Sequence, residues 1–149
     1  MLAARRLTEA QLWSKLVARG YADDETRVAV DACKADGFID DALFARLFVE
    51  CRPRALGDAR LVAELVRRGI ERDAARRSVA AAEDDQPARL ERAIDKILRT
   101  RGEPSYPSVA RSLERLGFPS PAIYRALRAR AARESLGEMT AEDSFANSP

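Results

Sequence analysis

Asp40 and Asp41 are the side chains whose type and spacing come nearest to a chemical site. Two adjacent carboxylates can bind a divalent cation, but such a site needs further oxygen ligands, and none stands close by in the sequence. Asp40 directly precedes an apolar helical pattern, so it fits the N-cap of a helix and Asp41 fits the first turn. The sequence predicts helix capping, with a metal site or a partner contact as the alternatives.

Other catalytic groups are scarce. The chain has no histidine, which removes Ser-His and Cys-His nucleophile systems and histidine-bound metals. It also lacks the GxGxxG and GxxxxGK[ST] loops that bind phosphates. Cys33 and Cys51 stand far apart inside apolar helical patterns, which favours buried, reduced thiols over a disulfide or a zinc site. We expect a protein that is not an enzyme and that holds no cofactor or metal.

Basic side chains are the residues most suited to binding. Of the 26 basic residues all but Lys15, Lys34 and Lys96 are Arg, which forms bidentate contacts with carboxylates and phosphates. Residues 86–133 hold 11 basic and 4 acidic side chains, a net charge of +7, whereas residues 1–85 have a net charge of −1. A GC-rich coding bias is the alternative explanation of the arginine content. The local charge nevertheless favours an acidic protein surface or a polyanion as the partner.

Ten basic residues form the candidate binding set: Arg67, Arg68, Arg89, Arg92, Lys96, Arg99, Arg111, Arg115, Arg125 and Arg128. Four of them, from Arg89 to Arg99, recur at i, i+3, i+7 and i+10. This spacing predicts an exposed stripe opposite the apolar face of one helix, so reversing the charge of Arg89, Arg92 and Arg99 should leave the fold intact. Arg130 and Arg133 extend the basic region. A solvated helix face is the alternative, and for Arg67 and Arg68 a contact with the helix C-terminus.

Three copies of one pattern divide the chain. Each copy has an apolar residue, Leu four residues later, Gly four residues after that, and then a large apolar residue. The copies are Leu12, Leu16, Gly20 and Tyr21; Leu61, Leu65, Gly69 and Ile70; and Val109, Leu113, Gly117 and Phe118. Residues four apart share a helix face, the glycine fits a left-handed helix stop, and the large residue packs back onto the last turn. Each copy predicts two helices separated by a glycine.

Helix start signals support this division. Thr8 and Gln11 form a capping box, and Asp23, Asp73 and Ser120 fit N-caps. After a stop at Gly37, a third helix is predicted over about 42–51, and a matching one over about 87–101. The third copy has no clear third helix.

These elements predict an all-α fold of three tandem three-helix repeats, the third incomplete. The repeats span about 5–52, 57–101 and 105–134 within one domain of residues 1–134, and they form an elongated, curved array, with a compact bundle as the alternative. The acidic tail of residues 135–149 is expected to be disordered.

Composition and hydropathy place the chain among globular proteins. The longest stretch without Asp, Glu, Lys or Arg is Leu116–Tyr124, far short of the roughly 20 apolar residues of a membrane helix. The N-terminal residues do not form a signal peptide, so we expect a cytoplasmic monomer. Phe38, Phe44, Phe48 and Trp13 follow apolar helical spacing and are predicted to lie in the core rather than to stack on bases.

The order and spacing of several motifs over about residues 4–130 resemble the RecX family. The motifs are Arg6-x-Thr8-x2-Gln11-Leu12-x3-Leu16-x2-Arg19-Gly20-Tyr21, then Ile39-Asp40-Asp41-x2-Phe44-Ala45, then Arg60-Leu61-x2-Glu64-Leu65-x2-Arg68-Gly69-Ile70, and finally Val109-Ala110-Arg111-x-Leu113-x2-Leu116-Gly117-Phe118. The family often has Glu in place of Gln11 and a helix upstream of the first repeat, for which only Met1–Leu7 are available here.

The resemblance implies a non-enzymatic regulator, usually an inhibitor, that binds in the groove of the RecA recombinase filament. It implies roles in DNA repair, recombination and the SOS response, and some members also bind DNA. Two alternatives stay open: a DNA-binding regulator with helix-turn-helix-like pairs, and a helical scaffold for another protein. The first is disfavoured because the second helices of copies one and two open with acidic residues, which DNA phosphates would repel. Weak contact with single- or double-stranded DNA phosphates through residues 86–133 stays open.

Overall fold

The structure is a computed structural model that describes residues 6–51, 55–102 and 104–145, with side chains as far as residue 135. The described residues form eight α-helices and no strand, as predicted for the all-α class. The helices are α1 (Glu9–Ala18), α2 (Asp23–Ala35), α3 (Asp41–Glu50), α4 (Asp58–Arg67), α5 (Arg72–Ala80), α6 (Gln86–Arg101), α7 (Tyr106–Arg115) and α8 (Ser120–Phe145). We call α1 with α2 the first pair, α4 with α5 the second pair, and α7 with α8 the third pair.

Two of the predicted helix starts are confirmed. The Thr8 hydroxyl accepts a hydrogen bond from the Gln11 amide at 3.2 Å, and the Gln11 side chain accepts from the Thr8 amide at 3.1 Å. The Asp40 carboxylate accepts from the Leu43 amide at 2.9 Å, which confirms it as an N-cap. These contacts satisfy amides that have no partner inside their own helix.

Three predicted N-caps are wrong by one or two residues. Ala22 caps α2, because the Glu25 side chain accepts from its amide, and Glu71 caps α5 in place of Asp73. Accepting hydrogen bonds from the Asp73 and Ala74 amides lowers the pKa of Glu71. Ser120 already lies within α8, because the Ile123 amide bonds to the Pro119 carbonyl at 3.1 Å. Acidic and hydroxyl residues cluster in first turns as well as at caps, so composition alone does not fix the cap residue.

The predicted glycine stops are confirmed. Gly20, Gly37, Gly69 and Gly117 have φ values between 75° and 91°, the left-handed region that other residues rarely adopt. Ile70 and Phe118, which follow two of these glycines, are buried as predicted. Tyr21, which follows Gly20, is 51% exposed and is therefore not buried as Ile70 and Phe118 are.

Two buried clusters hold helices α3 to α8 together. One joins α3 to the second pair and centres on Phe44, Leu61 and Leu65. The other joins α6 to the third pair and centres on Ile94, Leu113 and Ile123. Each third helix therefore packs on the pair that follows it in the chain.

Three other expectations differ from the structure. Phe38 is 71% exposed rather than in the core, because it follows the Gly37 stop beyond the end of α2, where it lines an open groove with Leu12 and Cys33. Cys51 is exposed because it lies beyond the last turn of α3, while Cys33 is half-buried; both thiols are free. Helix α8 continues to Phe145 through most of the segment predicted to be disordered. That segment contains good helix formers, Leu136, Glu138, Met139 and Ala141, and residues 146–149 lie outside the described residues.

Candidate interaction surface

Helices α6, α7 and α8 present most of the predicted binding residues. Their apolar positions enter one buried cluster that includes Leu90, Ile94, Val109 and Leu127. Because these positions fix which side of each helix faces inward, most of the basic residues between them are directed outward.

Six candidate residues lie exposed on these helices, and we call them the basic surface: Lys96, Arg99, Arg111, Arg115, Arg125 and Arg128. Arg99 donates to the Asp95 carbonyl at 3.3 Å, and Arg115 donates to the Ser112 hydroxyl at 3.4 Å. Within the described part of the chain, none of the six pairs with a carboxylate. Their charges are therefore available to an external anion.

Arg89 does not belong to this surface. Its side chain is buried, with a residue exposure of 5%. The guanidinium donates to the Leu56 carbonyl at 2.9 Å, to the Asp84 carbonyl and to the Asp58 carboxylate. The prediction of an exposed stripe is therefore wrong at this residue, and so is the expectation that its charge can be reversed without damage to the fold.

The physical reason is the position of Arg89 on α6. It precedes Leu90 by one residue and Ala93 by four, and both of those residues are buried. On a helix, positions i and i+4 lie on one face. Arg89 therefore lies at the border of the apolar face, where a long side chain can cover apolar surface and still reach polar partners at its end.

Three other arginines of the segment form ion pairs within the fold. Arg92 pairs with Asp84, and this hydrogen bond raises the pKa of Arg92. Arg130 pairs with Asp95 at 2.6 Å, which raises its pKa, and with Glu134 at 3.4 Å. Arg130 and Arg133 also lie within 4 Å of Glu91. The pairs of Arg130 and Arg133 with Asp95 and Glu91 connect α8 to α6. Together with the Arg92 pair they neutralise part of the charge that the sequence assigned to the basic region.

Arg67 and Arg68 lie apart from the basic surface, at the end of α4. Arg67 is exposed, in an open groove with Arg72 and Arg76. Arg68 donates to the Glu64 carbonyl at 2.7 Å, as expected for contact with a helix C-terminus, and its guanidinium lies 4.5 Å from the centre of the Phe48 ring. Arg68 thus takes part in the contact between α3 and α4.

Asp41 makes a contact that the sequence analysis missed. Its carboxylate accepts a hydrogen bond from the Glu9 amide at 2.9 Å, so it joins the start of α3 to the start of α1. A first-turn Asp gives no sign in the sequence of a partner 32 residues away. Both carboxylates of the Asp40–Asp41 pair therefore bind backbone amides, and the described residues contain no group of three His, Cys, Asp or Glu side chains able to hold a metal ion.

Two exposed tyrosines accompany the basic surface, and the sequence analysis did not single them out. Tyr106 begins α7 and is 42% exposed, and Tyr124 on α8 is 46% exposed. Tyr124 precedes Arg128 by four residues, so the two share a helix face. The four-residue spacing of Tyr124 and Arg128 is the feature of the sequence from which this shared face could have been predicted.

The pockets of the described residues are open grooves, including one of about 600 Å³ beside α3 and α5. The hydrogen bond with Asp84 raises the pKa of Arg92, and the cap hydrogen bonds from the Asp73 and Ala74 amides lower the pKa of Glu71. No helix in the described ranges is long and apolar enough to cross a membrane.

Comparison with known proteins identifies relatives over most of the chain. No family model matches the sequence. Regulatory protein RecX of Thermus thermophilus is 34% identical over 120 residues, which cover 80% of this chain and 79% of that protein. Regulatory protein RecX of Thermobifida fusca is 34% identical over 131 residues, which cover 81% of this chain and 69% of that protein.

A solved structure shows the same fold. The crystal structure of RecX from Lactobacillus salivarius matches with a TM-score of 0.70 at 17% identity, and the match covers 86% of this chain and 88% of the other. Identity and coverage of the Thermus and Thermobifida proteins are high enough to assign common descent. The chain belongs to the RecX family of regulatory proteins.

Proposed function

We propose that this protein regulates the RecA recombinase by binding the RecA filament on DNA, and that the basic surface on α6–α8 contributes to that contact. The observation that carries the proposal is the set of six exposed cations that, among the described residues, have no carboxylate partner, in a chain whose relatives are named regulatory proteins. The protein would act as a cytoplasmic monomer in DNA repair, recombination and the SOS response, by binding and without catalysis of its own.

A tandem-repeat arrangement supports this proposal, since arrays of repeats offer extended surfaces to long partners. Two contacts between successive pairs recur at matching positions. The Thr8 hydroxyl donates to the Arg68 carbonyl at 2.5 Å, and the Gly57 amide donates to the Leu116 carbonyl at 2.9 Å. In both cases the N-cap of one pair meets the C-cap of the first helix in the next pair.

A second recurring contact involves the third helices. Asp41 at the start of α3 accepts from the Glu9 amide, and Gln86 at the start of α6 accepts from the Asp58 amide, both at 2.9 Å. Glu9 and Asp58 occupy the same position, the first residue of α1 and of α4. We therefore propose three repeats in the register of Gly20, Gly69 and Gly117.

The positive charge of the basic surface determines how the filament contact should depend on salt. Exposed charges at the edge of an interface chiefly raise the encounter rate, and salt screens them over about 8 Å at physiological ionic strength. A filament contact through the basic surface should therefore weaken as salt increases. The mechanism we propose is that the bound protein bridges neighbouring RecA protomers and hinders the conformational changes that accompany ATP hydrolysis and strand exchange.

Direct contact with DNA phosphates is a second candidate, favoured by the exposed Tyr124 beside Arg125 and Arg128. Aromatic rings next to cations suit single-stranded nucleic acid. Sequence-specific reading of DNA is disfavoured, because Asp23, Asp24 and Glu25 open α2 and would meet phosphates first.

A matched pair of triple variants tests the basic surface. Changing Arg99, Arg125 and Arg128 to Glu should raise the Kd for a RecA filament on single-stranded DNA by about ten-fold at low salt, and by less at high salt. Changing Arg27, Arg46 and Arg72 to Glu alters the net charge equally on other exposed positions and should have little effect. Fluorescence anisotropy of labelled protein, titrated with filament, gives both values. Equal affinities of the two triple variants would refute the assigned surface.

A further inference from the structure

The first pair exposes a position that is buried in the other two pairs. Tyr21, Ile70 and Phe118 each follow the glycine stop of their pair, and they are 51%, 4% and 3% exposed. Ile70 lies in one buried cluster with Phe44 of α3, and Phe118 lies in the other with Ile94 of α6. The difference therefore follows from the presence of a third helix on the second and third pairs.

Two further positions show the same difference. Lys15 is exposed, whereas the matching Glu64 and Ser112 are buried. Arg19 is exposed, whereas the matching Arg68 is half-buried with its guanidinium over the Phe48 ring of α3.

These positions border the apolar side of the first pair. Leu12 and Leu16 are only half-buried, whereas the matching Leu61 and Leu65 are almost completely buried. Lys15 and Arg19 have no carboxylate partner in the part of the chain that the structure describes. The described residues thus leave uncovered, on the first pair, the face that α3 and α6 cover on the pairs after it.

We infer that this face, formed by Leu12, Lys15, Leu16, Arg19 and Tyr21, docks an amphipathic helix of a partner protein that carries an aromatic residue flanked by acidic side chains. The aromatic ring would lie beneath Arg19, as Phe48 lies beneath Arg68, and a carboxylate would pair with Lys15. Such pairs of opposite charge suppress wrong partners and fix the register of a docked helix. The inference rests on the repeat register proposed above and is independent of the basic surface on α6–α8.

The helix α3 provides a probe of the required chemistry. The segment Asp40–Glu50 carries Phe44 and Phe48 and three carboxylates against one Arg. A synthetic peptide of this segment, stapled through positions 42 and 46, which are exposed in the protein, is held in its helical form and so loses less entropy on binding. Titration of the isotope-labelled full chain with this peptide should shift the backbone amide resonances of residues 12–21.

Paired variants decide the outcome. Changing Lys15 and Arg19 to Glu should raise the Kd of the peptide about ten-fold, and changing Lys96 and Arg99 to Glu should leave it unchanged. Absence of saturable shifts up to about 1 mM peptide, shifts confined to α6–α8, or equal affinity of the Lys15–Arg19 variant and the wild type would each overturn the inference. Because the titration contains no RecA, these outcomes leave the proposed regulation untouched.

Discussion

Replacing Gly57 with Ala should lower the free energy of unfolding by about 3 kcal/mol, a loss unusual for one methyl group. A Cβ on Gly57 would overlap the carbonyl oxygen of Gly117, and the obstacle is backbone, which cannot rotate away. The Gly57 amide also donates to the Leu116 carbonyl, so any shift that relieves the overlap strains this hydrogen bond. The backbone of Gly57, with φ −72°, is one that Ala adopts readily, so the cost is steric alone.

Gly20 is the matched control for Gly57. It has a φ of 90°, and a Cβ there would meet nothing within 4 Å. Gly20→Ala therefore isolates the cost of the left-handed conformation, about 1 kcal/mol. Urea unfolding followed by far-UV circular dichroism measures both variants against the wild type. If Gly57→Ala is no more destabilising than Gly20→Ala, then Gly57 of the second pair does not lie as close to the Gly117 carbonyl of the third pair as the structure shows.

Replacing Arg89 with Met should lower the free energy of unfolding by about 3 kcal/mol. Met keeps the apolar part of the side chain but removes all three hydrogen bonds of the guanidinium, to Leu56, Asp84 and Asp58. The Leu56 residue is itself 3% exposed, so its carbonyl would lose a partner in a buried position. Asp58 is half-exposed and can be hydrated again, which keeps the loss near the lower end for a broken buried ion pair.

Arg99→Met is the control, because Arg99 lies exposed on the same helix and its replacement should change stability by no more than about 0.5 kcal/mol. Thermal and urea unfolding of the two variants distinguish a structural arginine from a binding one. Equal stabilities would show that Arg89 does not hold α6 against the start of α4.

The comparison of Arg89 with Arg99 also shows how far the sequence predicts this surface. Helical periodicity predicts Leu90, Ala93 and Ile94 on the inward face of α6, because apolar burial follows a 3.6-residue period, and all three are buried. It did not identify Arg89 as buried, since the carbonyls of Leu56 and Asp84 that receive its hydrogen bonds come from loops that no period describes. Likewise, the ion pairs of Arg130 with α6 depend on how two helices face each other.

The sequence predicted the helices and their ends better than it predicted which residues are exposed. Glycine stops and the Thr8 capping box are local, so their residue types determine them. Tyr21 and Ile70 occupy the same position in two copies of the pattern, yet one is exposed and the other buried. That difference depends on whether a third helix covers the pair, which is a tertiary property.

RecA ATP hydrolysis on single-stranded DNA, measured during titration with the purified protein, shows whether this RecX family member regulates RecA by binding its filament. We predict that the hydrolysis rate falls saturably and to the same extent on DNA of unrelated sequences, since the proposed contact reads charge and filament shape and not bases. A hydrolysis rate that stays unchanged at saturating protein, or that falls only on one DNA sequence, would contradict regulation of RecA through binding of its filament.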